Sequence, residues 1–267
     1  MFDCNIHLPC NEKGLNERLC DESQMNKQEL MTCFTTHLPN FKKNISAGNF
    51  MLFNEALTID DAAYFTSHVR QILPGSKFTA LISISSPQGA ERIKLLKNAG
   101  IDSIKFHCYV QNITDKDFLS VMELAKVAES LGMPIFIDTS YGSVGMYCND
   151  NLKLAAFLLK EISSVPVVLL HSGGARVLEA FLLADACPNV YLETSFSLPF
   201  YLGSSVEKDL AFAYKKFPER VIYGSDFPYV SFTESYEKFL FFTDKWKFTQ
   251  SQIDGFMIQN VNKVFSE

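Results

Sequence analysis

The stretch VPVVLLHSGGARVLEAFLLADACPNVYLET, residues 165–194, contains two short β-rich apolar runs, Val165–His171 and Val190–Glu193, separated by a longer amphipathic segment. Alternation of this kind is the signature of βα units and a parallel sheet. Working outward, the pattern recurs. Downstream lies Val221–Tyr223, and upstream lie Pro134–Asp138, Ser103–His107, Phe78–Ile84, Phe50–Phe53 and Met1–Leu8. Eight strands in 267 residues leave about 33 per unit, close to the minimal βα repeat. The spacing predicts an α/β fold, a single distorted (β/α)8 TIM barrel spanning residues 1–267.

The segments between the runs carry helix punctuation. Thr114 followed by Asp117 reads as a capping box. Phe118, Val121, Met122, Ala125 and Ala128 form one apolar stripe, and Gly132 with Pro134 stops it. Ser86-Pro87 opens another helix that Gly100 closes. Residues 9–49 are polar and irregular, with one helix expected over Lys27–His37. They read as a β1–α1 insertion lying over the barrel mouth, a candidate lid. No repeat, low-complexity tract or linker divides the chain.

Composition narrows the function. Hydrophobic residues make up 47% and charged residues 20%, and 24 Phe supply a large core. A net charge of −6 argues against nucleic acid or an anionic membrane as the main partner, since both need a basic surface. No apolar run approaches the ~20 residues that cross a bilayer. The start, MFDCNIHLP, lacks the basic flank and apolar stretch of a signal peptide. The seven cysteines are scattered without a C-x-x-C pair, which excludes a disulfide framework or zinc knuckle. The expectation is a cytoplasmic protein acting on a small molecule. A homo-oligomer is compatible with the sequence but not required by it.

In parallel α/β folds the site lies at the carboxyl ends of the strands. The first run ends in Asn5-Ile6-His7, whose alternation points Asn5 and His7 inward if Ile6 points out. The fourth delivers Lys105 and His107, the fifth ends in Asp138, the sixth in His171 and the eighth in Asp226. Convergence of five strand ends on one rim argues for a site. Imidazoles and carboxylates suit Zn²⁺ or Mn²⁺, which could activate water or polarise a carbonyl. Asp138, ending an apolar strand, would be costly to bury without a cation, either a metal or Lys105. Lys105 could equally bind a substrate carboxylate. Gly173-Gly174 and Arg176 could contact an anion. Tyr141 and Tyr147 either line the pocket or pack a loop, and His37 and His68 read as surface residues.

With these residues placed, the chain resembles the amidohydrolase-related family of metal-dependent hydrolases and decarboxylases. The resemblance rests on FDCNIHL, SIKFHCYVQ, PIFIDTS, VVLLHSGG, NVYLETS and VIYGSDFP, with the closing QNVNKVF, and covers residues 2–265. It implies that His7 and Asp226 are metal ligands, with Asp226 also taking a proton from the attacking water. His171 is implied as acid/base or a further ligand. Two positions depart from the family pattern, because Asn5 and Asp138 stand where histidines are usual. An amide is a poor transition-metal ligand, and the site becomes richer in oxygen. Three outcomes follow. A divalent metal, zinc or manganese, could be held by His7, Asp138 and Asp226 with Asn5 and His171 nearby. Catalysis could instead be metal-free, as in the lactonase branch, with Asp226 as base and Lys105, His107 and Arg176 holding an acidic substrate. Or chemistry could be lost, leaving a binding scaffold. The leading reading is a metal-dependent hydrolase of a small amide, lactone or ester, with nonoxidative decarboxylation on the same site as the alternative.

Overall fold

All eight expected strands form: β1 Phe2–Ile6, β2 Ala47–Leu52, β3 Lys77–Leu81, β4 Ser103–Phe106, β5 Ile135–Asp138, β6 Val167–Leu170, β7 Val190–Glu193 and β8 Val221–Ile222. They pair parallel in sequence order, in the computed structural model, which describes residues 1–8, 24–140 and 144–266. A principal helix follows each strand: α1 Lys27–Asn44, α2 Ile59–Ile72, α3 Gly89–Asn98, α4 Phe118–Ser130, α5 Asn151–Leu158, α6 Val177–Ala186, α7 Ser205–Lys216 and α8 Phe232–Lys245. The result is a (β/α)8 TIM barrel.

Local chemistry explains the helix boundaries. Asn26 and Glu29 form a reciprocal capping box at the start of α1. Thr58, Asp150, Ser204 and Ser231 each accept a backbone N–H at the starts of α2, α5, α7 and α8. The Thr114–Asp117 box is present, but it caps a single 3-10 turn, Asp115–Asp117, that leads into α4. All five residues of the expected α4 stripe are buried. Gly100 stops the α3 segment at φ +90°, a left-handed conformation that favours glycine.

Strand alternation builds two cores. Ile135, Ile137, Val167 and Leu169 join the cluster between sheet and helices. Their neighbours Phe136, Val168 and Leu170 point into the barrel with Cys4, Met51, Phe53, Leu81 and Ile222. Each large side chain buried this way contributes about 1.5–3 kcal/mol. Val261 and Val264, on the closing helix Asn260–Val264, complete the inner cluster.

Closure between β8 and β1 is irregular. The β1–β2 register shifts between Asp3 and Ile6, and β1 meets the segment after β8 through one bridge, Ile6 to Phe227. Three backbone bonds tie the seam: Cys4 N to Tyr223 O at 3.0 Å, Asp226 N to Asn5 O at 3.1 Å and His7 N to Phe227 O at 2.7 Å. The Asp3 carboxylate fills in for missing ladder acceptors. Its Oδ1 accepts the N–H groups of Asn5 at 3.1 Å and Ser225 at 3.0 Å.

The expected insertion over 9–49 needs correction. Residues 27–44 are the barrel's own α1, seven residues longer than the helix expected over Lys27–His37, and β2 begins at Ala47. Only one face of α1 is apolar, with Leu30, Cys33, Phe34 and Phe41 buried, so its polar composition masked its packing role. Phe34 and Phe41 stack edge-on against Phe50 of β2 at 5.8 and 5.5 Å. Pro39 lies within this helix. The candidate lid is thereby confined to residues 9–23, which lie outside the described residues.

Candidate active site

The strand ends bring the expected side chains together in two groups. On the β4–β6 side, Asp138 is the centre. Its Oδ2 lies 3.1 Å from Lys105 Nζ, 3.3 Å from His171 Nε2 and 3.4 Å from His107 Nε2. Its Oδ1 accepts the backbone N–H of Ser140 at 3.0 Å and the Ser140 hydroxyl at 2.6 Å. On the β8–β1 side, Asp226 Oδ1 accepts Asn5 Nδ2 at 3.1 Å and lies 3.6 Å from His7 Nε2.

The backbone is strained where the strands end. His171 (φ +65°), Ser172 (φ +50°), Phe196 (φ +52°) and Asp226 (φ +63°) occupy the left-handed region without being glycine. Gly173 follows at φ +87°, where an added Cβ would come within 2.8 Å of Ala180 Cβ. Its N–H donates to Thr139 Oγ1 at 2.8 Å, so this expected anion donor is already engaged. The turn throws the His171 ring back over the mouth toward Asp138.

Electrostatics follow from this clustering. Burial alone would raise the Asp138 carboxyl, but His107, Lys105 and His171 hold it well below its usual range. Burial would lower His171, yet Asp138, its hydrogen bond and the more distant Asp226 and Glu193 raise the imidazole to about 9. His107 goes the other way, lowered to about 4 by burial, which with the influence of Lys105, His171 and His7 outweighs the upward pull of Asp138. At neutral pH the floor of the mouth therefore holds an imidazolium and a neutral imidazole on either side of one carboxylate.

Lys105 is 1% exposed, and its ammonium, although paired in charge with Asp138, makes no directed hydrogen bond. The 3.1 Å contact is close enough for an ion pair but poorly aligned. Phe53 covers the ammonium, its ring centroid 4.7 Å away. His107 Nδ1 is likewise buried without a partner. Phe53 also packs against His7 at 4.9 Å, Tyr229 stands edge-on to His7 at 5.5 Å, and Phe196 faces His171 at 5.8 Å. Polar groups thus form the base, with aromatic rings around them.

Other expected residues lie elsewhere. Arg176 NH1 donates to Asp150 Oδ2 at 2.9 Å and its Nε to Glu179 Oε1 at 2.8 Å. Tyr147 is 84% exposed, whereas Tyr141 lies outside the described residues. His37 and His68 are half-buried rather than on the surface. His37 stands 5.0 Å from Phe227, and His68 stacks on Tyr64 at 6.1 Å.

Two residues without an assigned role also belong to the site. Ser195 Oγ lies 2.7 Å from Glu193 Oε2, 3.0 Å from Asn5 Nδ2 and 3.1 Å from His171 Nδ1. Glu193, fully buried and raised by that burial against His171 and the hydrogen bonds of Ser195, also accepts the His171 backbone N–H at 3.0 Å. Tyr191-Leu192-Glu193-Thr194-Ser195 repeats the alternation used to place Lys105 and His107, a signal that could have found them.

The fold family implies a divalent metal, but this donor set does not fit one. The Asp138 carboxylate is met by the Lys105 ammonium and the His171 imidazolium, and Asp226 by the amide nitrogen of Asn5, none of which has a lone pair to offer a metal. Among the described residues, no three His, Cys, Asp or Glu side chains are arranged to hold an ion.

No curated protein matches the sequence. Among solved structures, the fold is similar to a probable 2-pyrone-4,6-dicarboxylic acid hydrolase from Acinetobacter baumannii with citric acid bound, at 15% identity and a TM-score of 0.67 over 100% of this chain and 99% of that one. An uncharacterized TIM-barrel protein from Bordetella bronchiseptica matches at 15% identity and 0.72, over 98% and 97%. The 4-oxalomesaconate hydratase of Rhodopseudomonas palustris matches at 13% and 0.58, over 99% and 95%. At such identities the likeness is one of fold. The sequence profile of the amidohydrolase family matches residues 83–266, from the end of β3 through β8 and the closing helix but not the Asn5-x-His7 strand. Well over half of the chain is thereby matched, and the protein belongs to the amidohydrolase family of enzymes.

Proposed function

We propose that this enzyme hydrolyses a small acidic carbonyl compound, a lactone or ester bearing a carboxylate, without a resident metal. The observation that carries the reading is the Lys105 ammonium, buried beneath Phe53 with hydrogen-bonding capacity unused. Buried donors are almost always satisfied, so an unmet one at the base of a strand-end mouth calls for a ligand acceptor. A carboxylate or a developing oxyanion supplies it. Fold neighbours that include a probable 2-pyrone-4,6-dicarboxylic acid hydrolase with citric acid bound support an acidic substrate. The aromatic wall of Phe53, Phe196 and Tyr229 suits a planar one.

In this reading Asp226 accepts a proton from water as the water oxygen adds to the carbonyl carbon. The carbonyl electron pair moves onto oxygen, and Lys105 and the His171 imidazolium stabilise the resulting anion. Collapse of the adduct breaks the bond to the leaving oxygen, which takes the proton held by Asp226. Asn5 and His7 orient Asp226 in the resting enzyme.

The test combines a panel of acidic lactones and esters, followed by acid release, with elemental analysis of protein purified without chelator. Turnover that survives chelation with well under one ion per chain is expected. Asp226→Asn should lower kcat by about 100-fold or more. Activity that needs one bound ion per chain would overturn the metal-free reading and make His7, Asp138, Asp226 and His171 ligands. Absence of turnover across the panel would overturn the hydrolase reading.

A further inference from the structure

Glu193 and Ser195 are fully buried beneath the mouth, out of contact with water. They nevertheless join its two halves. We propose that the Ser195 hydroxyl, oriented by Glu193, is the positioning residue that sets His171 and Asn5, and through them Asp138 and Asp226, in one geometry. This role rests on the hydrolase reading for its catalytic meaning, but the arrangement itself stands on hydrogen-bond direction.

That direction is fixed by elimination. Glu193 Oε1 accepts the Ser195 N–H at 2.7 Å, and Oε2 accepts the His171 N–H at 3.0 Å, so the carboxylate faces donors on both oxygens. The Ser195 hydroxyl has one hydrogen, and Glu193 Oε2 at 2.7 Å takes it. The hydroxyl oxygen is then left to accept. It accepts from Asn5 Nδ2 at 3.0 Å and from His171 Nδ1 at 3.1 Å, and the Ser195 carbonyl at 3.2 Å is a second acceptor for the same Nδ1–H. Asn5 must therefore present its amide nitrogen to Ser195, and that nitrogen also reaches Asp226. His171 must carry a proton on Nδ1, which aims Nε2 at Asp138.

The space around Glu193 is made for this. A Cβ at Gly224 would lie 2.1 Å from Glu193 Oε1 and 3.1 Å from Asn5 Cβ. Only glycine at 224 leaves the carboxylate where it can hold Ser195. The glycine of the Gly224-Ser225-Asp226 segment is thus coupled to the serine after β7.

The experiment uses the full chain labelled with ¹⁵N in its five histidines. In Ser195→Ala and in Glu193→Gln, the imidazole resonances of His171 should shift relative to wild type, while those of His37 and His68 stay in place. Should Glu193→Gln fail to fold, Ser195→Ala, which removes one atom, carries the test alone. Unchanged His171 resonances in Ser195→Ala, or a wild-type His171 lacking a proton on Nδ1, would overturn the proposal. Against a substrate identified from the lactone and ester panel, Ser195→Ala should lower kcat about tenfold, the rate equivalent of one hydrogen bond, with KM within about twofold. Equal loss through KM alone would also overturn it. Spectral shifts in an enzyme that turns over nothing on the panel would leave the arrangement standing and remove only the hydrolase reading.

Discussion

The β4–β6 side of the mouth and the β8–β1 seam both bury carboxylates, but they compensate them differently. Asp138 is met by an ammonium and two imidazoles. Asp3, at the seam, is met by backbone N–H groups and has one oxygen, Oδ2, with no hydrogen bond. The first arrangement stabilises charge and drives the carboxyl down, whereas burial of the second drives the Asp3 carboxyl up to about 7. Burial alone does not decide whether an acid is ionised. The number and charge of the donors around it do.

The largest test of this contrast is Asp138→Ala. It leaves Lys105 and His171 as buried cations without a counter-charge, and loss of one partner from a buried ionic cluster costs about 3–5 kcal/mol. Urea denaturation should show that loss in full. Asp226→Asn, which removes a charge flanked by Asn5 and His7, should cost well under half as much. Equal losses at the two sites would erase the distinction between them.

The same division governs what could be read from sequence. On the β4–β6 side the strands are regular, and Lys105 and Asp138 meet at the strand ends to which the apolar runs lead. His171 could be placed at its strand end because the strand runs straight to it. At the seam the register shifts between Asp3 and Ile6. A shift of that kind depends on which backbone groups lack partners across the closing gap, and no local pattern encodes it. Asp3, two residues before Asn5, therefore carries no local sequence signal of its role at the seam. Glu193 and Ser195 were legible in principle from alternation along β7, but a buried serine has no distinctive neighbours in sequence. The polar look of residues 38–44 has a different cause, since an amphipathic helix with a narrow apolar face looks polar when counted rather than projected.

Changing pH sharpens the comparison. Asp138, with its carboxyl depressed, contributes stability that is present above the usual value of 3.8 and lost as pH falls below it. Asp3, raised to about 7, contributes stability that is full below 3.8 and lost as pH rises through about 7. Asp3→Asn keeps an acceptor for the N–H groups of Asn5 and Ser225 and removes the titration. The difference in stability between variant and wild type should therefore move in favour of the variant between pH 4 and pH 8, by on the order of 4 kcal/mol. Thermal melts at both pH values measure it, and a difference that stays constant would show that folding leaves the Asp3 carboxyl unshifted.

Gly224→Ala probes the seam from its other side. Forcing a methyl against the Glu193 carboxylate should destabilise the fold by about 1–3 kcal/mol, the usual cost of overpacking. Pairing it with Glu193→Ala, which vacates the contested space, should make the two effects less than additive. Strict additivity would mean that the glycine answers to some other neighbour.

The smallest effect is expected at Arg176, one of three residues, with Lys105 and His107, that the sequence suggests as anion contacts. Its guanidinium is spread over Asp150 and Glu179, with the Arg and Glu side chains 28% and 53% exposed. Exposed pairs of this kind contribute about 0–1 kcal/mol. Because both carboxylates already neutralise it, a substrate anion would have to displace them to gain the same contact. Arg176→Ala should accordingly change stability by less than about 1 kcal/mol. It should also leave KM for an acidic substrate within about twofold, whereas Lys105→Met, which removes the cation with unused hydrogen-bonding capacity, should raise KM markedly. A large KM effect at Arg176 with little at Lys105 would move the anion contact from the barrel interior to the loop after β6, and the buried ammonium would then be structural.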